Sequence, residues 1–171
     1  MSFFAIVYGG MCINRSSGVY RMTYQQLDAI ADSYVPLLGI LSLLWFVRKG
    51  FSSGVRSACI DVVTTFFGAL YIYTLMFADK HLGAFASIGL DYSTHTALAL
   101  VFVVNLCFIG KTVRSITIIS MLSYCLLMLY QDYHTVADIM LTGLLVLPVL
   151  VWLKCLSRSK NKPNKAFKSD S

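Results

Sequence analysis

The sequence predicts an all-α fold, a polytopic transmembrane helix bundle of about five spans that is preceded by a short N-terminal interfacial helix. Of the 171 residues, 57% are hydrophobic and only 13% are charged, and the mean hydropathy is +0.71. A soluble domain carries about 25% charged residues, so a water-soluble fold of this composition would lack the polar side chains to cover its surface. The length accommodates about five or six spans of about 20 residues with short loops, and it leaves no room for a separate soluble domain.

Five apolar runs are expected to form the spans, and they cover residues 34–47, 58–78, 95–110, 116–130 and 136–153. Pro36 stands near the start of the first run, a position that a helix tolerates. Residues 2–13 are also apolar, but the segment is too short to cross a hydrocarbon layer of about 30 Å and lacks the charged start of a signal peptide. This segment is predicted to be an interfacial or re-entrant helix, with a degraded sixth span as the alternative.

Residues 1–156 are therefore predicted to form one transmembrane helical domain. Residues 157–171 are predicted to be a disordered basic tail, because they are polar, contain Pro163 and have little to bury. The five cysteines are scattered, without a CxxC pair or metal-like spacing, which indicates free thiols in apolar surroundings rather than a disulfide framework.

The basic residues fall mainly on one side of the predicted membrane. That side holds 11 of the 14 lysines and arginines: Arg48, Lys49, Arg56, Lys111, Arg114, Lys154, Arg158, Lys160, Lys162, Lys165 and Lys168. The positive-inside rule places it in the cytoplasm together with the C-terminus. The net charge of +6 therefore reports membrane topology and does not indicate nucleic-acid binding. The expected location is a membrane of the bacterial inner-membrane type.

Two of the three histidines are expected to meet at the opposite, extracytoplasmic face. His95 opens the third predicted span and His134 opens the fifth. Two spans of about 16 residues and a short turn separate them, so the chain leaves and returns on the same side. Ionisable groups at membrane spans are costly and indicate a functional site.

Asp138 follows His134 by four residues, so the two would share one face of a helix. A carboxylate there can fix the tautomer of the imidazole and make its other nitrogen more nucleophilic. His95 can then protonate a leaving oxygen. Two imidazoles and a carboxylate suffice for a double displacement at phosphorus, without a metal or another cofactor.

At these residues the chain resembles the type 2 phosphatidic acid phosphatase superfamily, and within it the sphingomyelin synthase-like branch. The strings that carry the resemblance are Ser93-Thr94-His95-Thr96 and His134-Thr135-Val136-Ala137-Asp138. The resemblance covers roughly residues 79–153. It implies that His134 is the nucleophile, Asp138 its orienting partner and His95 the acid for the leaving group. The implied activity is that of a lipid phosphatase or phosphotransferase acting on a lipid phosphate or phosphodiester.

The chain departs from the family pattern at several positions. Thr94 stands where the family has Gly, and Leu127-Met128 stands where the phosphatases, but not the synthase branch, have Ser-Arg. The family's Lys-x6-Arg spacing occurs at Lys49 and Arg56, yet topology puts that pair across the membrane from both histidines. The residues expected to bind the substrate are Ser93 and Thr94, which precede His95, and Lys80 in the outer loop.

Three alternatives stay open. The chain could be a non-catalytic lipid-binding or accessory protein that keeps the scaffold. It could also be a small transporter with an intramembrane proton relay. A zinc site made by the two histidines and Asp138 is chemically possible as well. Asp61 is expected to form an ion pair with Arg56 or Arg114. Asn105 is expected to form a hydrogen bond between helices.

Overall fold

The structure, a computed structural model, describes residues 23–161 as a bundle of five α-helices. The helices are α1 (Tyr24–Ser53), α2 (Val55–Leu82), α3 (Thr94–Cys107), α4 (Lys111–Tyr130) and α5 (Val136–Lys160), and a short 3-10 helix (Ala86–Ile88) lies between α2 and α3. The described residues contain no strand, so the all-α prediction is confirmed.

Four of the five helices have the length and composition of membrane spans. Helices α1, α2, α4 and α5 contain 20 to 30 residues each and are apolar enough to cross a membrane. Their outward faces expose large apolar side chains, such as Phe66 on α2 and Leu144 on α5. Exposed apolar surface of this extent is what a lipid environment requires.

Helix α3 forms the centre of the bundle and contacts each of the other four helices. Nine of its 14 residues are buried, as expected for a helix that is apolar on all sides. At about 1.5 Å per residue it is roughly 21 Å long, which is shorter than its neighbours. The bundle therefore has space beyond both ends of α3, and a cavity lies at each end.

Helices α2 and α5 approach each other closely at Gly68. A Cβ atom at this position would lie 2.8 Å from Cδ2 of Leu150, which is closer than carbon atoms normally pack. Ile72 and Val146 on the same two helices are fully buried. A small residue that lets two helices meet is a common feature of membrane bundles.

The helix ends differ from the predicted ends, because polar residues extend the helices beyond their apolar runs. Helix α1 begins at Tyr24 rather than at residue 34, so Pro36 lies inside the helix and not near its start. Helix α5 continues through Lys160, so the predicted start of a disordered tail at Ser157 is wrong. The side chain of Ser157 is fully buried and donates a hydrogen bond to Asp61 at 2.5 Å. Residues 2–13 and 162–171 lie outside the described residues.

A buried polar cluster joins α1, α2, α3 and α5 at the end of the bundle away from the histidines. Asp61 pairs with Lys49 at 2.6 Å and with Lys154 at 3.1 Å. The expected partners Arg56 and Arg114 are therefore wrong, because Lys49 from α1 and Lys154 from α5 pair with the carboxylate instead.

Asn105 connects this cluster to the central helix. Its Nδ2 donates to Thr65 Oγ1 on α2 at 2.8 Å, and its Oδ1 accepts from Lys154 Nζ on α5 at 3.0 Å. The predicted hydrogen bond between helices is confirmed.

Candidate active site

Both histidine strings lie at the same end of the bundle. Helix α3 begins there at Thr94, α4 ends there at Tyr130, and α5 begins there at Val136. His95 and His134 line a common cavity of about 480 Å³. The structure thus brings the two histidines to one site, as the hairpin argument predicted. His95 is exposed and His134 is half-buried.

Asp138 has a different position from the one expected. His134 precedes the N-cap residue Thr135, so it lies outside helix α5 and does not share a helical face with Asp138. Oδ2 of Asp138 accepts hydrogen bonds from the Thr135 amide and hydroxyl, both at 2.8 Å. Oδ1 accepts from the Asp91 amide at 2.8 Å. Nδ1 of His134 has no hydrogen-bond partner among the described residues, so the predicted His134–Asp138 hydrogen bond is not made.

Asp138 instead connects the two segments that carry the histidines. The Asp91 amide belongs to the loop before α3, and Thr135 begins α5. A second bond runs in parallel, since the Ser93 amide donates to Thr142 Oγ1 at 3.2 Å. These contacts fix the start of α3 against α5. Asp138 therefore links the two segments that carry the histidines.

The three expected substrate-binding residues have separate positions. Thr94 lines the cavity. Ser93 is fully buried and caps α3, where its Oγ accepts from the Thr96 amide at 3.3 Å. Lys80 is exposed in the last turn of α2 and does not line the cavity.

Acidic and aromatic residues that were not predicted from the sequence also line the cavity. Asp28 and Asp32 come from the first turns of α1, and Tyr92, Tyr124 and Tyr133 add aromatic rings. The two aspartates are four residues apart, a spacing that places them on one helical face. The spacing is visible in the sequence, but Asp28 and Asp32 precede the apolar run of residues 34–47 and therefore fell outside the predicted first span.

The electrostatics of the cavity follow from these residues. Its lining, within the described part of the chain, contains no lysine or arginine. Burial lowers the pKa of His134 below its ordinary value, although the Asp138 charge acts in the opposite direction. The lowered pKa favours the neutral form of the His134 imidazole. The Tyr133 hydroxyl donates a hydrogen bond to Asp28, which raises the pKa of Tyr133.

The arrangement supplies two imidazoles in one cavity, which two carboxylates also line. Neutral imidazole is a competent nucleophile, and an imidazole pair can also transfer protons. Within residues 23–161, no three His, Cys, Asp or Glu side chains are grouped so that they could hold a metal ion.

No protein-family model, curated protein or solved structure matches the chain. The resemblance to the type 2 phosphatidic acid phosphatases therefore depends on the two histidine strings alone and stays a prediction.

Proposed function

We propose that the protein is a membrane phosphotransferase or phosphohydrolase that acts on a lipid phosphodiester through a phosphohistidine intermediate. The observation that carries the proposal is the shared cavity of His95 and His134. The lowered pKa of His134 adds to it, because only the neutral imidazole has a free electron pair for attack.

The proposed reaction has two displacements at phosphorus. In the first, a ring nitrogen of His134 forms a bond to phosphorus, the bond to the leaving oxygen breaks, and His95 gives that oxygen its proton. In the second, His95 takes a proton from water or an acceptor alcohol as its oxygen attacks phosphorus, and the phosphorus–nitrogen bond breaks. Both imidazoles return to their starting states.

The charges in the cavity favour a diester over a monoester. A phosphate monoester carries a charge of about −1.5 to −2 at pH 7, and the lining offers Asp28 and Asp32 but no lysine or arginine. A diester carries a single negative charge. A headgroup with its own cation would be attracted by the carboxylates and by the tyrosine ring faces. The proposed substrate is thus a zwitterionic phospholipid.

The proposed orientation places the cavity on the extracytoplasmic side and the C-terminus in the cytoplasm. It follows from the basic residues at the other end of the bundle and the positive-inside rule. Membrane-impermeant thiol labelling of a Lys80→Cys variant, in a background without native cysteines, tests it. Labelling in intact cells supports the orientation, and labelling only after lysis reverses it.

A non-catalytic lipid-binding role is the second candidate. It is favoured by the hydrogen bonds of Asp138, because both carboxylate oxygens are engaged by backbone amides and Thr135 and none orients His134. In this role the cavity would bind a zwitterionic headgroup without catalysing a reaction on it.

The test is a turnover assay with purified full-length protein in detergent micelles that contain phosphatidylcholine or phosphatidic acid. The variants are His134→Ala and His95→Ala, and the control is His81→Ala, since His81 is exposed and outside the cavity lining. Loss of one general acid–base group costs roughly 10²–10⁴-fold in rate, so we expect a loss of that size for His95→Ala and abolition for His134→Ala.

Cleavage of phosphatidylcholine that depends on both cavity histidines and not on His81 supports the proposed enzyme. Turnover that survives His134→Ala refutes the phosphohistidine mechanism. Binding of phosphatidylcholine without any turnover by the wild type assigns the non-catalytic role instead. A preference for phosphatidic acid would contradict the charge argument, which predicts that activity on this monoester rises when Asp28 and Asp32 are both changed to Asn.

A further inference from the structure

A second cavity of about 1270 Å³ lies at the opposite end of the bundle from the histidines. The ends of α1 and α5 and the start of α2 form its walls. Among residues 23–161, four of those that line it are basic, namely Lys49, Arg56, Arg158 and Lys160, and none is acidic.

The connection between α1 and α2 explains how Lys49 and Arg56 reach the same cavity. Helix α1 ends at Ser53 and α2 begins at Val55, with only Gly54 between them. Gly54 has a φ of 89°, a conformation that favours glycine. The chain reverses sharply at this residue, so two side chains seven positions apart face one space.

The positive charge of the cavity is only partly compensated by the residues behind it. Lys49 also lines a smaller adjoining cavity of about 190 Å³, which reaches Asp61 and Lys154. Asp61 is paired with both of these lysines, so one carboxylate faces two ammonium groups. The inner wall keeps an excess positive charge, and Arg56 makes no ion pair within the described residues.

Uncharged groups at the rim suit a phosphate that is carried by a lipid. Asn161 lines the cavity, and its Nδ2 is buried and has no hydrogen-bond partner within residues 23–161. Phe51 and Val55, which flank the turn at Gly54, are 89% and 72% exposed. Apolar side chains exposed beside a basic cavity indicate the boundary between headgroups and acyl chains.

We propose that this cavity binds the phosphate group of an anionic lipid from the leaflet on its side of the membrane. Arginine and lysine at such sites bind phosphate oxygens through charge-assisted hydrogen bonds, and basic pockets between transmembrane helices recognise anionic headgroups. The site is distinct from the histidine cavity and does not depend on the reaction proposed there. A soluble phosphate ester shares the same chemistry, and the experiment distinguishes the two sources.

The experiment is a native mass spectrometry titration of the full-length protein in detergent with phosphatidylglycerol and, separately, with phosphatidylcholine. The test variant is Arg56→Gln with Arg158→Gln. The matched control is Arg48→Gln with Lys111→Gln, which removes the same charge at the same end of the bundle from exposed residues outside the lining. We expect phosphatidylglycerol affinity to fall by roughly tenfold or more in the test variant and to stay within about twofold in the control.

A competition with inorganic phosphate and glycerol phosphate identifies the source of the anion. Retention of bound phosphatidylglycerol in excess phosphate supports the lipid as the ligand. Displacement at equal concentrations supports the site and assigns a soluble phosphate to it. An equal loss of affinity in both double variants, or equal wild-type affinity for the two lipids, would overturn the proposal, because binding would then reflect general surface charge.

Discussion

Replacing Asp61 by Asn tests the most deeply buried charge of the bundle. Asp61 is 2% exposed and accepts contacts from Lys49, Lys154 and Ser157. The amide preserves the shape and one acceptor oxygen, but it leaves two ammonium groups without a counter-ion. Lys49 has a side chain 19% exposed and can reach water, whereas the Lys154 side chain is only 6% exposed.

The magnitude of the effect follows from these exposures. Removing one partner of a buried ion pair costs about 3–5 kcal/mol, because the remaining charge stays buried without compensation. Lys154 keeps its contact to Asn105 at 3.0 Å, which places the expected loss near the lower limit, at about 3 kcal/mol. Adding Lys154→Met to Asp61→Asn removes the uncompensated charge and should restore about 2 kcal/mol.

The assay is an SDS titration of the full-length protein in mixed micelles, followed by far-UV circular dichroism, which gives the free energy of unfolding. Asp132→Asn is the control, because Asp132 is exposed and its positive φ of 55° suits Asn equally well. The ion-pair reasoning is refuted if Asp61→Asn is as stable as the control, or if adding Lys154→Met lowers stability further.

The remaining predictions concern packing, titration and helix capping. Gly68→Val should destabilise the bundle by about 1–3 kcal/mol through overpacking against Leu150. The control is Gly143→Val, because no described atom lies within 4 Å of its Cβ position, so this variant should show only the smaller effect of helix propensity. Equal losses of stability in SDS titrations would contradict the role of the Gly68 contact. Because burial lowers the pKa of His134, protonation of its imidazole should lower kcat/KM only as the pH drops below the ordinary value of about 6.5. An acidic limb of the pH profile above pH 6.5 would contradict the role of His134. Thr135→Ala should cost about 0.5–2 kcal/mol through loss of the N-cap, and thermal unfolding that is unchanged would show that the cap is dispensable.

Within residues 23–161, the number and order of the helices could be predicted because a bilayer requires long apolar segments. The helix ends could not, because polar residues and local caps decide them. At the start of α1, Gln26 accepts a hydrogen bond from the Thr23 amide at 2.9 Å, and the helix continues through Asp28 and Asp32 before the apolar run begins. Both acidic residues of the cavity were missed for this reason.

The partners of individual polar side chains could not be predicted from the sequence either. Asp61 was expected to pair with Arg56 or Arg114, but Lys49 and Lys154 pair with it instead. The spacing of His134 and Asp138 predicted a common helical face, and the N-cap at Thr135 removes His134 from that helix. The hairpin geometry that brings His95 to His134 involved only span lengths and directions, so it could be predicted from the sequence.

The most direct test of the proposed mechanism is a search for the covalent intermediate. Wild-type protein would be incubated with phosphatidylcholine, quenched in alkali to preserve phosphohistidine, digested and analysed by mass spectrometry, with the His134→Ala variant treated in parallel. The proposed mechanism predicts a covalent adduct on the peptide that contains His134, in which phosphorus keeps the ester group that did not leave (phosphocholine or phosphatidyl), and it predicts that this adduct is absent from the variant. Turnover of the lipid with no adduct at His134, or with an adduct at another residue, would contradict it.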